Sequence, residues 1–472
     1  MRSLPIISAL PLLALLAAGA DKDFWGQFRG PNGSGVDEAL GYPAEFSPSK
    51  NLLWKVAVPY SQSSPIVAGG RVFLTGSEDG QLITLCFDAK SGASVWRKEI
   101  RPAELQEVYY GNDRASPTPA ADEHGVVVFF PDFGVVAYAP GGQQIWAVRL
   151  GPFRNFYGMA ASPILVRNLV ILVCDQRTGS YLIALDRRTG QTKWRTERPA
   201  ATNGWATPMI FRPVDRPEQL IVLGTERLDS YYPATGESRW WMPVGSLGSM
   251  GVPVAAGSTL FVSTRGSIEP WMRPFEAVLN LFDKDEDGRL SRGEFRANKS
   301  MYEHFGWIDT DGDDIIDAAE WNTARNIGIG EFGAFAIRPG DAQGRLEPHM
   351  VLWRFRKNIP YVPAPLLYQN VFYLVRDGGI ITSLDPASGQ PLKEGRSPDA
   401  LGGYYASPVA ADGKVYLADR DGRITVLRAA GQWEVLAVND IDEEIHATPA
   451  LHQGRIYVRT RSSIYCFGSS AN

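Results

Sequence analysis

Residues 161–173 read ASPILVRNLVILV, and residues 181–194 read YLIALDRRTGQTKW. The first stretch is a small residue, a proline, a short apolar strand, an Asn turn and a longer apolar strand. The second is an apolar strand running into Asp186, a turn closing on Gly190, and a strand carrying Trp194. Together they describe four short strands in succession. Glycine at that turn suits the positive φ that a tight hairpin demands.

The first phrase recurs as SSPIVAGGRVFLTG, ASPTPAADEHGVVVFF, ATPMIFRPVDRPEQLIVLG, GVPVAAGSTLFVST, PAPLLYQNVFYLV, ASPVAADGKVYLA and ATPALHQGRIYVR. Its prolines are Pro65, Pro117, Pro163, Pro208, Pro253, Pro365, Pro408 and Pro449. Six of the seven intervals lie between 41 and 52 residues, and the interval from Pro253 to Pro365 is 112. A period in the forties built from short strands predicts an all-β, eight-bladed propeller of four-stranded blades. The second phrase agrees, with Trp96, Trp146, Trp194, Trp240, Trp353 and Trp433 recurring in its final strand. These indoles are expected to pack between neighbouring blades. The repeat over 380–399 lacks its Trp. The last repeat ends at Phe467 without a fourth strand, and NLLWKVAV at 51–58, with Trp54, is expected to supply it. That pairing closes the ring and removes the sheet edges. Cys86, Cys174 and Cys466 sit in apolar strand-like runs and read as buried free thiols.

The long interval has a chemistry of its own. Residues 283–294 read DKDEDGRLSRGE, the pattern of an EF-hand calcium loop. Asp283, Asp285 and Asp287 place carboxylates around one cation. Gly288 allows a sharp turn, the Arg289 carbonyl adds an oxygen, Ser291 acts directly or through water, and Glu294 closes the site with two oxygens. Residues 309–320 read DTDGDDIIDAAE, offering Asp309, Asp311, Asp313, the Ile315 carbonyl, Asp317 and Glu320. Asp314 stands where the turn favours glycine, so the second loop is expected to bind more weakly. Leu290 and Ile316 are the apolar positions where paired loops meet. One helix over FRANKSMYEHF is expected to leave the first loop and enter the second. Residues 283–320 hold 12 acidic and 5 basic side chains. The acidity of the chain is therefore concentrated where divalent cations would neutralise it.

A chain of 472 residues exceeds one ordinary compact domain unless a repeat architecture absorbs it. Its net charge of −5 disfavours a chain-wide nucleic-acid surface. The start, MRSLPIISALPLLALLAAGA, reads as a signal peptide cleaved after Ala20: one Arg, an apolar run, and small residues at the cleavage positions. The expected destination is periplasmic or extracellular. No later run is long enough to span a membrane. The expected division is a signal peptide at 1–20, propeller at 21–267, an EF-hand pair at 268–335 and propeller again at 336–472. Gly328, Gly330 and Gly333 match a dinucleotide-binding glycine spacing but precede a strand instead of following one, which rejects that site. No zinc, hydrolase or phosphate-loop motif is present.

The blade motif, strand–LDxxTGxxxW, together with the Ser-Pro phrase, resembles the PQQ-like, quinoprotein-type eight-bladed propellers. The segment WGQFRGPNGSGV at 25–36 looks like the opening of secreted bacterial members of that group. The resemblance covers roughly 21–267 and 336–472, and it implies two branches. One is the PQQ-dependent alcohol and sugar dehydrogenases, which hold PQQ and Ca²⁺ near the axis. Many have an adjacent Cys pair and some a CxxCH haem motif, and this chain has neither. The other is non-catalytic, like the assembly propeller BamB, a lipoprotein whose lipid-bearing Cys is absent after the expected cleavage site.

A ligand of the propeller is expected at the axis, where the segments before each Ser-Pro phrase line one mouth. Arg114, Trp205, Tyr404 and His446 are the candidate contacts there: aromatic rings for stacking and Arg114 for carboxylates. The sequence thus leads to an exported calcium-binding propeller that acts as a scaffold, with protein or glycan partners on its faces. The alternative is a PQQ-dependent dehydrogenase.

Overall fold

The computed structural model describes residues 24–108, 111–246, 250–267 and 269–469. Strands Ile66–Ala68, Arg71–Glu78, Gln81–Asp88 and Ser94–Ile100 form blade 1 as an antiparallel meander. Seven further sheets repeat this plan, giving an all-β propeller of eight four-stranded blades. In blade 8 the outermost strand is Leu52–Ala57, antiparallel to Ser463–Phe467 with Trp54 opposite Cys466. The expected closure therefore holds. Middle strands such as Gly125–Phe130 are buried along their whole length, because a neighbouring blade covers each face. Outer strands such as Thr192–Glu197 bury little besides their Trp. All three cysteines are buried and free.

The Ser-Pro phrase has a mechanical reason. Where a Ser or Thr precedes the proline, its hydroxyl accepts the backbone N–H of the matching residue in the preceding blade; Val252 and Ala364 stand at this position in blades 5 and 6. Thus Ser64 N donates to Thr118 Oγ1 at 3.0 Å, Thr118 N to Ser162 Oγ at 2.9 Å, and Ser162 N to Thr207 Oγ1 at 3.0 Å. Beyond the insertion, Ala364 N donates to Ser407, Ser407 N to Thr448, and Thr448 N back to Ser64, each at 3.0 Å. The belt corrects one register: Thr118–Pro119, not Ser116–Pro117, is the blade 2 member, and its strand Ala120–Asp122 follows at once. Two consecutive X-Pro pairs made the sequence alignment ambiguous there. Thr448→Val strands the buried Ser407 N–H and should lower stability by about 1–3 kcal/mol in urea unfolding.

The Trp–Gly pattern is a second lock between blades. Trp146 Nε1 donates to the Arg187 carbonyl of the next blade at 3.0 Å, and its ring lies where a Cβ on Gly190 would be, 2.7 Å away. Trp54, Trp96, Trp194 and Trp353 donate in the same way to Ala89, Pro140, Pro233 and Pro386. The turn glycine thus serves both its own positive φ of 71° and the indole lying on it. Trp240 differs: it bonds Gln219 of its own blade at 2.7 Å, and Gly344–Arg345 adds a fifth strand beside it.

The segment at 25–37 crosses the axis. Trp25 exchanges two 2.9 Å backbone bonds with Val67 of blade 1, Gly26 accepts from Ala121 of blade 2, and Asn32 bonds both backbone groups of Ile210 in blade 4. Gly35 and Asp37 pair with Ala410 of blade 7, and Arg29 Nη2 donates to the Pro365 carbonyl of blade 6 at 2.8 Å. A short segment bonded to the innermost strands of five blades must span the ring. Burial lowers the Arg29 pKa to about 9.

Between the second and third strands of blade 5, Thr259–Thr264 and Gly333–Ile337, the chain leaves the ring. It forms α1 (Phe275–Phe282), a 3₁₀ turn (Arg292–Phe295), α2 (Lys299–Ile308) and α3 (Ala318–Asn326). The single helix expected over FRANKSMYEHF is instead two elements. Asn298 breaks it, its Oδ1 capping Met301 N at 3.2 Å. Phe275, Val278, Phe295, Phe305, Ile308 and Trp321 give the insertion its own core.

Candidate functional site

Two acidic loops of the insertion lie side by side. Leu290 pairs with Ile316 and Ser291 with Ile315 in a short antiparallel bridge, as the apolar spacing implied. In the first loop, one carboxylate oxygen from each of Asp283, Asp285 and Asp287 lies within 4.8 Å of the others. Gly288 has φ 77°, and its N–H reaches Asp283 Oδ2 at 3.0 Å. The other oxygen, Asp283 Oδ1, is buried and has no partner. Glu294 reaches back to Lys284 N and Ser291 N, both at 2.7 Å, which holds its carboxylate over the loop.

The second loop repeats the arrangement with Asp309, Asp311 and Glu320 clustered within the same 4.8 Å. Asp314, standing in place of glycine, adopts φ 63°. Its N–H still reaches Asp309 Oδ2 at 3.2 Å, and its carboxylate is drawn aside to Arg292 Nε at 2.8 Å. Asp313 Oδ1 accepts from Ile315 N at 2.8 Å, and Asp317 caps α3 by accepting from Glu320 N. Asp317 is thus engaged by the helix it starts. Arg289 N bonds Asp287 Oδ1 at 2.8 Å, which fixes the turn whose carbonyl was the expected ligand.

The insertion rests on the propeller. Arg177 of blade 3 donates to the Gly306 carbonyl of α2 at 2.5 Å, and the His304 and Phe156 rings lie 6.5 Å apart. Between the two parts is a cavity of about 750 Å³. Tyr157, Trp205, Met250 and Tyr361 of the propeller line one wall. Trp271, Met272, Leu281, Met301 and Trp307 of the insertion line the other.

The four candidate mouth residues are held by their own chain. Arg114 Nη1 pairs with Asp132 at 2.9 Å and also reaches the Gln106 carbonyl. Trp205 Nε1 donates to the Gly158 carbonyl at 2.8 Å, and its ring meets Tyr157 edge-on at 5.7 Å. Tyr404 is buried and donates to the Ala400 carbonyl at 2.9 Å. His446 Nε2 accepts from Arg420 Nε at 3.2 Å, and its ring lies 5.4 Å from Tyr405. Of the four, only Trp205 lines the cavity.

Burial and then the Arg420 cation lower the His446 pKa to about 4. An NMR titration of the ring should therefore show a midpoint near 4. The unfolded chain takes up this proton near pH 6.5 and the folded chain does not. Stability should fall as pH drops from 6.5 towards 4, and less steeply in His446→Gln.

Sequence reasoning missed the brace behind Trp205. Arg198 Nε and Nη2 bind both oxygens of Asp175 at 2.8 and 3.0 Å, and Nη1 binds Asp229 at 3.0 Å and the Tyr231 hydroxyl at 2.5 Å. All three charged groups are almost fully buried. Burial alone would lower the guanidinium pKa, but the two carboxylates reverse this and raise it. Residues scattered over 175–229 carry no local motif, so no spacing signals them.

The ring of eight meanders, its proline belt and its closing strand define a PQQ-like β-propeller. A family model described as outer membrane protein assembly factor BamB matches residues 47–208 and 347–472. That is more than half of the chain, and the chain belongs to this family. Among curated proteins no sequence matches. Among solved structures, BamB from Moraxella catarrhalis aligns at TM-score 0.55 and 12% identity, covering 89% of this chain and 98% of its own. The quinohemoprotein alcohol dehydrogenase from Comamonas testosteroni aligns at 0.57 and 12%, covering 96% and 82%. A europium-containing methanol dehydrogenase aligns at 0.58 and 9%, covering 95% and 98%. At such identities the likeness is one of fold. Among the described residues no helix is long and apolar enough to cross a membrane. The expected signal peptide lies outside the described residues.

Proposed function

We propose that the protein is an exported calcium-binding propeller that works as a binding scaffold, with residues 268–335 forming an EF-hand pair. The observation that carries this reading is Asp283 Oδ1, buried and without a partner inside a cluster of three aspartates. A buried carboxylate oxygen without a donor is costly, and a cation in the loop would satisfy it. The donors are all hard oxygens, which suit Ca²⁺. In the first loop Asp283, Asp285, Asp287, the Arg289 carbonyl, Ser291 and Glu294 would hold it. In the second, Asp309, Asp311, Asp313, the Ile315 carbonyl, Asp317 and Glu320 would, more weakly. The bound cations would supply the positive charge that these crowded carboxylates lack.

Export rests on the character of residues 1–20. The scaffold role is supported by the engagement of Arg114, Trp205 and Tyr404 within their own chain, and by the missing Cys pair and CxxCH motif. The fold is shared with BamB, whose family description makes that protein an assembly factor, and protein partners are the corresponding proposal here. Calcium titration of the mature chain by calorimetry tests the metal reading. Two binding events, the tighter one lost in Glu294→Gln, are expected, and no heat of binding would overturn it. PQQ titration tests the enzyme reading: saturable quenching of Trp fluorescence would replace the scaffold with a dehydrogenase.

A further inference from the structure

The cavity between the insertion and the propeller shares Trp205 with the mouth and includes none of the calcium-loop carboxylates. Its volume of about 750 Å³ lies within the range of small-molecule sites, about 300–1,000 Å³. Its walls come from two parts of the chain, the ring and the insertion. Trp205 and Met250 stand on the propeller side, and Trp271, Met301 and Trp307 on the insertion side. Trp271 is 53% exposed and Leu281 57%, so large apolar side chains stand in water at this site. Exposed apolar surface around a concave apolar site is the signature of a binding surface.

The lining also selects the ligand. It includes three methionines, Met250, Met272 and Met301, whose unbranched, polarisable side chains adapt to a flexible chain. It includes one arginine, Arg273, and no carboxylate. The Arg273 carbonyl is bound by Trp321 Nε1 at 2.8 Å, which pins its backbone at the wall, and the residue is exposed. A polyanionic quinone would call for several cations, and one arginine suits one anionic head group.

We propose that this cavity binds a single-chain amphiphile, with the acyl chain between the two walls and its carboxylate on Arg273. The inference is independent of the calcium reading, because none of the loop carboxylates lines the cavity. The test uses palmitate with the full mature chain, read by the fluorescence of the lining tryptophans, with hexadecanol, PQQ and an amphipathic helical peptide as comparators. Calcium-saturated and EDTA-treated samples are run in parallel, which separates failure of this proposal from failure of the metal reading.

Saturable binding of palmitate at one site is expected. Met250→Trp and Met301→Trp fill the cavity from opposite walls, and both should abolish binding while far-UV circular dichroism stays native. Should one of the two fail to fold, the other decides. Arg273→Gln should weaken palmitate about tenfold and leave hexadecanol unchanged, the loss of one charge-assisted contact. Absence of saturable binding overturns the proposal, as does palmitate binding that survives both filling variants. Displacement of palmitate by PQQ or by the peptide at lower concentration also overturns it, since the cavity would then serve a quinone or a protein.

Discussion

Arg198→Met is expected to destabilise the propeller by about 3–5 kcal/mol, the largest effect of any single substitution considered. The guanidinium joins two strands: Asp175 just past the end of one blade 3 strand, and Asp229 and Tyr231 in one strand of blade 4. Removing it leaves the buried Asp175 without a cation and leaves Asp229 only Arg227, whose Nη2 lies 2.8 Å from its Oδ1. Burial of an unpaired charge costs far more than the pair contributes, so the loss should greatly exceed that of a surface ion pair. Urea unfolding gives the size of the effect. Replacing both aspartates with leucine beside Arg198→Met should recover most of it, because an apolar trio has no orphaned charge. The network also braces the mouth. Arg198 N bonds the Ser180 carbonyl at 2.8 Å, and a Cβ on Gly204 would lie 2.7 Å from Asp175 Oδ2. Trp205 follows directly, so its fluorescence should red-shift in the variant. An unchanged unfolding midpoint would show that the trio contributes nothing to the fold.

Calcium should raise the stability of the insertion by about 2.7 kcal/mol at a concentration one hundred times its dissociation constant. The effect arises because the folded loops gather carboxylates that the unfolded chain keeps apart. Without the cation, Asp283, Asp285 and Asp287 repel one another within a few ångströms. EDTA should therefore lower the melting temperature of the insertion, followed by the circular dichroism of α1–α3, and leave the β signal of the ring. Asp283→Asn should remove most of the first loop's share. Asp314→Gly should strengthen the second loop, since glycine holds φ 63° without the strain an aspartate bears there. A melting curve indifferent to EDTA would remove the calcium reading. It would leave the acidic loops as solvated turns.

Much of the architecture was legible because repetition multiplies a weak signal. One Ser-Pro strand or one Trp means little, but eight copies at one period describe a ring. The paired loops were legible for a different reason: every ligand candidate of each loop lies within twelve consecutive residues, and Leu290 faces Ile316 as their spacing implied. The blade 2 register was misread where Ser116–Pro117 and Thr118–Pro119 offered two equivalent matches. Only the belt bond from Ser64 N to Thr118 Oγ1 distinguishes them.

The sequence by itself determined the number of blades, the closing strand, the place of the insertion and the residues of its two loops, because each depends on spacing along the chain. Only the tertiary structure decided where WGQFRGPNGSGV goes, that it crosses the axis from blade 1 to blade 7, and that Arg29 ends beneath Pro365. Only it brought Asp175, Arg198 and Asp229 together, engaged Arg114 and Tyr404 within the chain, and set Met301 across a cavity from Met250. These are contacts between distant segments. Periodicity reports which face of a strand is buried, and it carries no information about which distant side chain covers it.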